Sequence, residues 1–186
     1  MANKVLVITG ATGTGKTTVQ DYLVEHYPVT KVITHTTRPP RPGEIDGQDY
    51  YFETAESFGR NHYLESVRYA GYQYGSSREG LAAGFNRSPF VAIVLDSKGA
   101  VTYQEELGDQ AVVLFLTVSD PESLMHRVTR RGDDQLMVKQ RFASAEYRRD
   151  LTMPLALQGR AIQINNDNWS QTKVKLANLM RTLQED

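Results

Sequence analysis

The sequence predicts an α/β fold, a parallel sheet flanked by helices with a small inserted antiparallel segment. Three observations carry this. Apolar runs recur at 5–8, 31–34, 90–95, 111–117 and 161–164, with helical patterns between most of them. Strands that are apolar throughout, such as Ala111-Val112-Val113-Leu114-Phe115-Leu116-Thr117, belong to parallel sheets buried on both faces. The first run leads into a glycine-rich loop that opens a helix. The segment from about Thr36 to Arg87 then breaks the alternation, being rich in Tyr, Arg, Gly and Pro with short alternating stretches such as Tyr63-Leu64-Glu65-Ser66-Val67-Arg68-Tyr69.

Taken in order, Val5-Leu6-Val7-Ile8 is a buried strand, and Gly10-Ala11-Thr12-Gly13-Thr14-Gly15-Lys16-Thr17 follows it with the spacing G-x-x-x-x-G-K-T. Glycines let the backbone fold so that its N–H groups point inward at an anion, and the helix starting there adds its positive end. Lys16 is spaced to reach β- and γ-phosphates and the Thr17 hydroxyl to ligate Mg²⁺. The helix after the loop puts Val19, Tyr22, Leu23 and His26 on one face, read as the packed one. A glycine-rich turn with an exposed lysine is the plain alternative. Strand, loop and helix in that order favour the phosphate site, and the order G-x-x-G-x-G argues against a dinucleotide fingerprint.

Within the insertion, Thr36-Thr37-Arg38-Pro39-Pro40-Arg41-Pro42-Gly43-Glu44 places two arginines in a proline-stiffened path. Each arginine precedes a proline, which favours extended backbone. With three residues per turn, both side chains emerge on one side, about 9 Å apart at their backbones. Two guanidinium forks on one side suit a phosphate monoester. Beyond the insertion, helices are expected at 97–107, 120–131, 137–152 and 170–184, and an exposed, mobile turn at 130–134. Arg127, Arg130 and Arg131 are spaced to share a helical face. Arg141 and Arg148 lie two turns apart, and Arg149 reads as a surface charge. In the last helix Val174, Leu176, Leu179, Met180 and Leu183 form the expected core stripe.

Composition sets the outer limits. At 186 residues, 40% of them hydrophobic, the chain suits one domain with small inserted units. A net charge of −1 offers no general affinity for nucleic acid or membrane, so anion binding must be local. With no cysteine, disulfides, thiolate catalysis and Cys-based zinc sites are excluded. The four histidines are scattered and form no H-E-x-x-H pattern. Val5–Ile8 is too short for a secretory signal, and no run approaches membrane-spanning length. The expectation is a cytoplasmic protein.

The stretch Thr34-His35-Thr36-Thr37-Arg38-Pro39-Pro40-Arg41-Pro42-Gly43-Glu44-Ile45-Asp46-Gly47-Gln48-Asp49-Tyr50-Tyr51-Phe52 resembles the signature of guanylate kinases. The resemblance continues through Leu64-Glu65, Tyr74-Gly75-Ser76, Asp96-Ser97-Lys98-Gly99, Arg127, Arg131-Gly132, Arg141 and Ile164-Asn165-Asn166-Asp167. It implies a P-loop NTPase core (1–35, 88–126 and 150–186), a GMP-binding insertion (36–87) and a helical lid (127–149). It also implies the reaction of ATP and GMP to ADP and GDP, with Mg²⁺ and no protein nucleophile.

Carried over by position, the resemblance gives ATP the loop residues Gly10, Ala11, Thr12, Gly13, Thr14, Gly15, Lys16, Thr17 and Thr18, with Asn165 at adenine. Arg38, Arg41, Tyr50 and Tyr74 hold the GMP phosphate, and Thr34, Glu65, Ser76 and Asp96 read its base. Lys16, Arg38, Arg127, Arg131 and Arg141 act on the transferring phosphate, and Thr17 is the metal ligand. Guanine presents N1–H and N2–H donors to a carboxylate and O6 to a hydroxyl, which suits these residue types. The sequence departs from the pattern at Ala11-Thr12 for Pro-Ser, at Thr34 for serine, and at Val94, where the family carries a carboxylate that organises the metal's water shell. Scaffold domains of the same family lose the working loop, and sugar-bisphosphate kinases diverge through 34–52. Both features are intact here.

Overall fold

The computed structural model describes residues 3–69, 71–130 and 135–185. Five parallel strands form the main sheet: β1 (Lys4–Thr9), β2 (Val29–Lys31), β7 (Phe90–Val94), β8 (Ala111–Thr117) and β9 (Ile162–Asn165), in the order β2-β7-β1-β8-β9. β1 lies at the centre, paired with β7 through Lys4↔Phe90 to Ile8↔Val94 and with β8 through Val5↔Ala111 to Thr9↔Phe115. Its side chains alternate between two cores. Val5 and Val7 join Val91, Ile93 and Val113 on one face, under α3 (Arg78–Phe85) and α4 (Ser97–Leu107). Leu6 and Ile8 join Ala92, Leu114 and Leu116 on the other, under α1 (Lys16–His26) and α8 (Trp169–Glu185). Residues 5–8 are all fully buried, each worth roughly 1.5–3 kcal/mol of apolar transfer, which fixes the strand whose end carries the phosphate loop.

The insertion contributes the second sheet, ordered β4-β3-β6-β5 from β3 (Thr34–Thr36), β4 (Tyr50–Phe52), β5 (Tyr63–Tyr69) and β6 (Tyr72–Ser77). The β5–β6 and β3–β6 pairs are antiparallel, and β3–β4 is a parallel pair at the edge. The register slips between Tyr63 and Glu65. Leu64 and Glu65 are consequently both buried, a bulge that turns a polar side chain inward where simple alternation would expose it. A one-turn helix, α2 (Ala55–Phe58), is closed by a capping box between Thr54 and Ser57.

Several expectations are corrected. The run 31–34 is divided between two sheets: Val32 still donates to the Ala92 carbonyl at 2.9 Å, and the chain then crosses to β3. The helix expected over 137–152 is two, α6 (Gln135–Ala143) and α7 (Ala145–Asp150). Ser144 breaks it, its extended backbone and hydroxyl capping Tyr147 N–H at 3.1 Å. Arg148, expected to face the same space as Arg141, turns back to the Ala143 carbonyl. On α1 the buried face is Val19, Gln20 and Leu23. Gln20 donates to the Ala92 carbonyl at 3.0 Å, while His26 is exposed and stacks on Tyr22. In α8, Val174 is 61% exposed, and the buried positions are Thr172, Leu176 and Met180. The turn expected at 130–134 falls mostly on residues 131–134, outside the described residues. α3 had no periodicity to announce it, and its Gly84 lets the helix approach β7, since a Cβ there would lie 2.9 Å from Val91 Cγ1.

Candidate active site

The carboxyl ends of β1 and β7 open into a cavity of about 610 Å³ that is also bordered by the second sheet and by α5 (Ser123–Arg130) and α6. At one end is the loop after β1. Gly10 and Gly15 have φ of 129° and 93°, and a Cβ on either would strike a neighbour, Leu116 O at 2.3 Å or Asn166 Nδ2 at 2.5 Å. Only glycine allows this path. Gly10, Thr12, Gly13, Gly15, Lys16, Thr17 and Thr18 line the cavity. The Lys16 ammonium lies across the loop, donating to Gly10 O at 2.7 Å and Ala11 O at 2.9 Å.

Ala11 and Thr14 turn away from the cavity and hold the loop's shape, Thr14 Oγ1 donating to Ala11 O at 2.8 Å. Asn166, which also lines the cavity, fastens the loop. Its buried Nδ2 donates to Thr14 O at 2.7 Å, and its Oδ1 accepts from Thr172 on α8 at 2.8 Å. Asn165 is not at the cavity: its Nδ2 donates to Ser119 Oγ at 2.9 Å and its Oδ1 accepts from Asp167 N–H at 3.0 Å. Both ends of the amide expected at adenine are engaged, whereas Trp169 at the start of α8 does line the cavity, edge-on to Tyr22 at 5.3 Å.

At the opposite end stand Arg38, Arg41, Tyr50 and Tyr74, all lining the cavity. Arg38 is buried, with its guanidinium 5.5 Å from the Tyr50 ring centre. Glu44 ties the segment together, accepting from Arg38 Nη2 at 2.8 Å and from the Arg41 N–H at 2.6 Å. Burial, and then the neighbouring Tyr74, push the Tyr50 phenol up, so it remains a proton donor at neutral pH.

Thr34, Glu65 and Asp96 also reach the cavity. Glu65 is 7% exposed and its Oε2 has no hydrogen-bond partner among the described residues. Burial first, and then Asp96, push its carboxyl up to about 8, Lys98 opposing weakly. An unpartnered buried acceptor in a cavity wall is a costly arrangement and marks where a donor belongs. Ser76 pairs across from Glu65 on β6, behind the cavity wall, with its fully buried hydroxyl accepting from Tyr103 at 2.8 Å. Asp96 begins α4, its Oδ1 capping Gly99 N–H at 2.7 Å.

Arg127 and Arg141 line the same cavity from α5 and α6. Arg127 is held by the Asn166 carbonyl at 3.2 Å and lies 3.6 Å from Asp167. Arg131 lies outside the described residues. Val94, at the end of β7, presents an apolar wall to the cavity. Sequence reading missed Arg149, which is no free surface charge: it pairs with Asp96 at 2.6 Å and Asp150 at 2.9 Å. It is carried by the helix that Ser144 starts, a break that no periodicity signalled.

A phosphate loop, an arginine pair and a buried carboxyl thus line one cavity. The guanylate kinase family model covers residues 2–183. The chain belongs to the guanylate kinase family. A guanylate kinase of Thermus thermophilus is 34% identical over 79% of this chain and 69% of its own length. That of Lactobacillus delbrueckii is 37% identical over 78% of this chain and 75% of its own. The crystal structure of guanylate kinase from Anaplasma phagocytophilum superposes with a TM-score of 0.73 at 24% identity, covering 100% of this chain and 88% of that one. That likeness establishes the fold, a P-loop core with helices on both faces of a parallel sheet.

Proposed function

We propose that this chain transfers the γ-phosphate of ATP to GMP, giving ADP and GDP in purine nucleotide metabolism. The observation that supports it most is Glu65: a buried, unpartnered carboxyl oxygen in the same cavity as the phosphate loop. Guanine offers two adjacent N–H donors to such a group, whereas adenine presents a lone pair at N1. Thr34 offers a hydroxyl and Asp96 a second carboxylate, and Ser76 stands behind them. Arg38, Arg41, Tyr50 and Tyr74 are suited to the GMP phosphate, which sets it facing the phosphate loop.

In the transfer, an oxygen of the GMP phosphate forms a bond to the γ-phosphorus while the bond to the β-phosphate oxygen breaks, its electron pair leaving with ADP. No protein nucleophile is needed, so the chain contributes alignment and charge neutralisation. Lys16 and the loop N–H groups serve the donor phosphates, and Arg38, Arg127, Arg131 and Arg141 the group in flight. We take the main sheet with its helices, α3 among them, as the nucleotide core, the second sheet (34–77) as the acceptor unit and 127–149 as a lid that excludes water, so that residues 34–35 and 78–87 fall on the other side of the expected boundaries at 36 and 87. The donor base is read loosely, beside Trp169.

A divalent metal accompanies ATP in nucleotide kinases. Among the described residues no group of three or more His, Cys, Asp or Glu forms a metal cage, but Mg²⁺ does not ask for one. It keeps several waters and takes one or two protein ligands plus substrate phosphates, a donor set that the Thr17 hydroxyl in the cavity wall fits. Bound there, Mg²⁺ would neutralise charge on the β- and γ-phosphates.

No helix among the described residues is long and apolar enough to cross a membrane, and we place the activity in the cytoplasm, on small nucleotides rather than nucleic acid. An ADP-release assay with GMP, dGMP, AMP and ribose bisphosphate as acceptors tests the reading. Turnover with the guanine nucleotides well above the other two is expected, and preference for AMP or the sugar phosphate would overturn it.

A further inference from the structure

A bonded charged cluster joins the end of α7 to the start of α4, and two of its members, Asp96 and Asp150, reach the cavity. Arg149 Nη2 donates to Asp96 Oδ2 at 2.6 Å, and Arg149 Nε donates to Asp150 Oδ1 at 2.9 Å and to Ser97 Oγ at 3.2 Å. Asp150 Oδ1 also accepts from the Ser97 N–H at 3.3 Å. Asp96 is therefore held at both oxygens, by the Gly99 cap on one and by Arg149 on the other. Such paired, charge-assisted bonds fix a carboxylate's direction as well as its charge.

That direction matters because Asp96 shares a corner with Glu65. A Cβ on Gly99 would lie 3.0 Å from Glu65 Oε2 and 3.3 Å from Asp96 Oδ1, so the bare backbone is what lets the two carboxyls converge. From α4, Asp96 and Lys98 act on Glu65, and from β6 Ser76 stands beside it with Tyr103 behind. Arg149 is the cation bonded to Asp96 at this corner, and it is carried by a helix that follows directly on α6, the helix of Arg141.

We propose that Arg149 is a positioning residue for the acceptor base, holding Asp96 as an oriented carboxylate beside Glu65 and linking the 145–150 helix to the base pocket. The inference rests on the reading of this cavity as the GMP site. Base recognition then has a direct route to the lid: a shift of α7 moves the carboxylate the guanine faces, and a seated guanine holds α7 in place.

The test compares Arg149→Gln, Arg149→Lys and the double variant Arg149→Gln/Asp96→Asn, using kinetics with each nucleotide varied between about pH 6 and 9. With Arg149→Gln, KM for GMP should rise about tenfold or more, the scale of one lost charge-assisted bond, with KM for ATP within about twofold. The acid limb of kcat/KM for GMP should move to higher pH, because the unbalanced Asp96 charge holds the Glu65 proton more tightly. Arg149→Lys should recover part of both effects. The double variant, which removes the stranded anion, should return the acid limb toward the parent's position and serves if the single variant folds poorly. Equal losses for ATP and GMP, or a weakened GMP site with an unmoved acid limb, would make Arg149 a merely structural ion pair and overturn the proposal. A nucleotide-free arm separates this from failure of the GMP reading. Thermal melts against pH should show the destabilisation linked to Glu65 extending to higher pH in Arg149→Gln than in the parent, whichever acceptor the assay favours. Superimposable melting profiles would sink the proposal on their own.

Discussion

Lys16 lies over its own loop on two carbonyls, Gly10 O and Ala11 O, contacts it can exchange for phosphate oxygens without moving the backbone. Lys16→Ala should leave the circular-dichroism spectrum unchanged and lower turnover by about two to three decades, the roughly 3–4 kcal/mol typical of such a group at a transition state. Glu65 carries a sharper prediction. Its carboxyl is pushed up to about 8, so below that pH it is mostly protonated, while guanine's N–H donors call for the carboxylate. GMP use should rise close to tenfold per pH unit up to about 8 and then level, with ATP use following no such slope. Stability runs the other way. Above about pH 4.5 the unfolded chain releases this proton and the folded chain keeps it, so the native state loses ground until about pH 8. Glu65→Gln should match the parent's melting temperature at pH 4.5, exceed it at pH 8, and lower kcat/KM for GMP by about 10- to 100-fold. Val94 is the third residue of consequence. It contributes nothing to a hydrated metal's shell, and Asp150, another carboxylate in the cavity wall, is engaged by Arg149 and Ser97. Val94→Asp should saturate with free Mg²⁺ at a lower concentration than the parent when MgATP is held constant, and identical magnesium curves would reduce Val94 to an ordinary strand residue.

Among the elements, those with unbroken apolar runs were legible. β7 and β8 fall at Phe90–Val94 and Ala111–Thr117 against expected runs of 90–95 and 111–117, because a strand buried on both faces leaves no polar residue to blur its bounds. The phosphate loop was legible for another reason: glycine spacing encodes a backbone path directly. What stayed hidden depends on partners distant in sequence. Ser144 reads as a helix residue until its hydroxyl caps the next helix, whose Arg149 bonds Asp96. Asn165 looked like the adenine contact by position, yet Ser119 and Asp167 engage its amide. Its neighbour Asn166 has the larger structural part, tying Thr14 in the loop, 152 residues away in sequence, to Thr172 in α8, 6 residues away. Asn166→Ala should lower stability by about 1–3 kcal/mol, the cost of stranding buried partners, and raise KM for ATP more than for GMP. Chemical denaturation beside steady-state kinetics checks both, and a stability loss with unchanged ATP use would confine Asn166 to the fold.

At the scale of the whole molecule, five cationic side chains among the described residues (Lys16, Arg38, Arg41, Arg127 and Arg141) line one cavity from three separate parts of the chain. Lys16 comes from the loop and α1 beside the main sheet. Arg38 and Arg41 come from the insertion and Arg127 and Arg141 from α5 and α6. Glu44 and Asp167 lie against Arg38 and Arg127, and phosphates placed between the two groups of arginines would attract both. Two nucleotides bring that negative charge to the middle of the cavity, so both peripheral units should close toward the carboxyl edge of the sheet, and neither nucleotide alone should close both. Scattering in solution checks this. The radius of gyration is expected to fall in the presence of GMP together with a nonhydrolysable ATP analogue, and to fall less with either ligand singly. Raising the salt should shrink the difference between free and bound forms, because screening weakens the attraction between the arginines and the bound phosphates. A radius that stays constant while calorimetry reports both sites filled would mean that the arginines are already placed for transfer, and that catalysis here proceeds without closure.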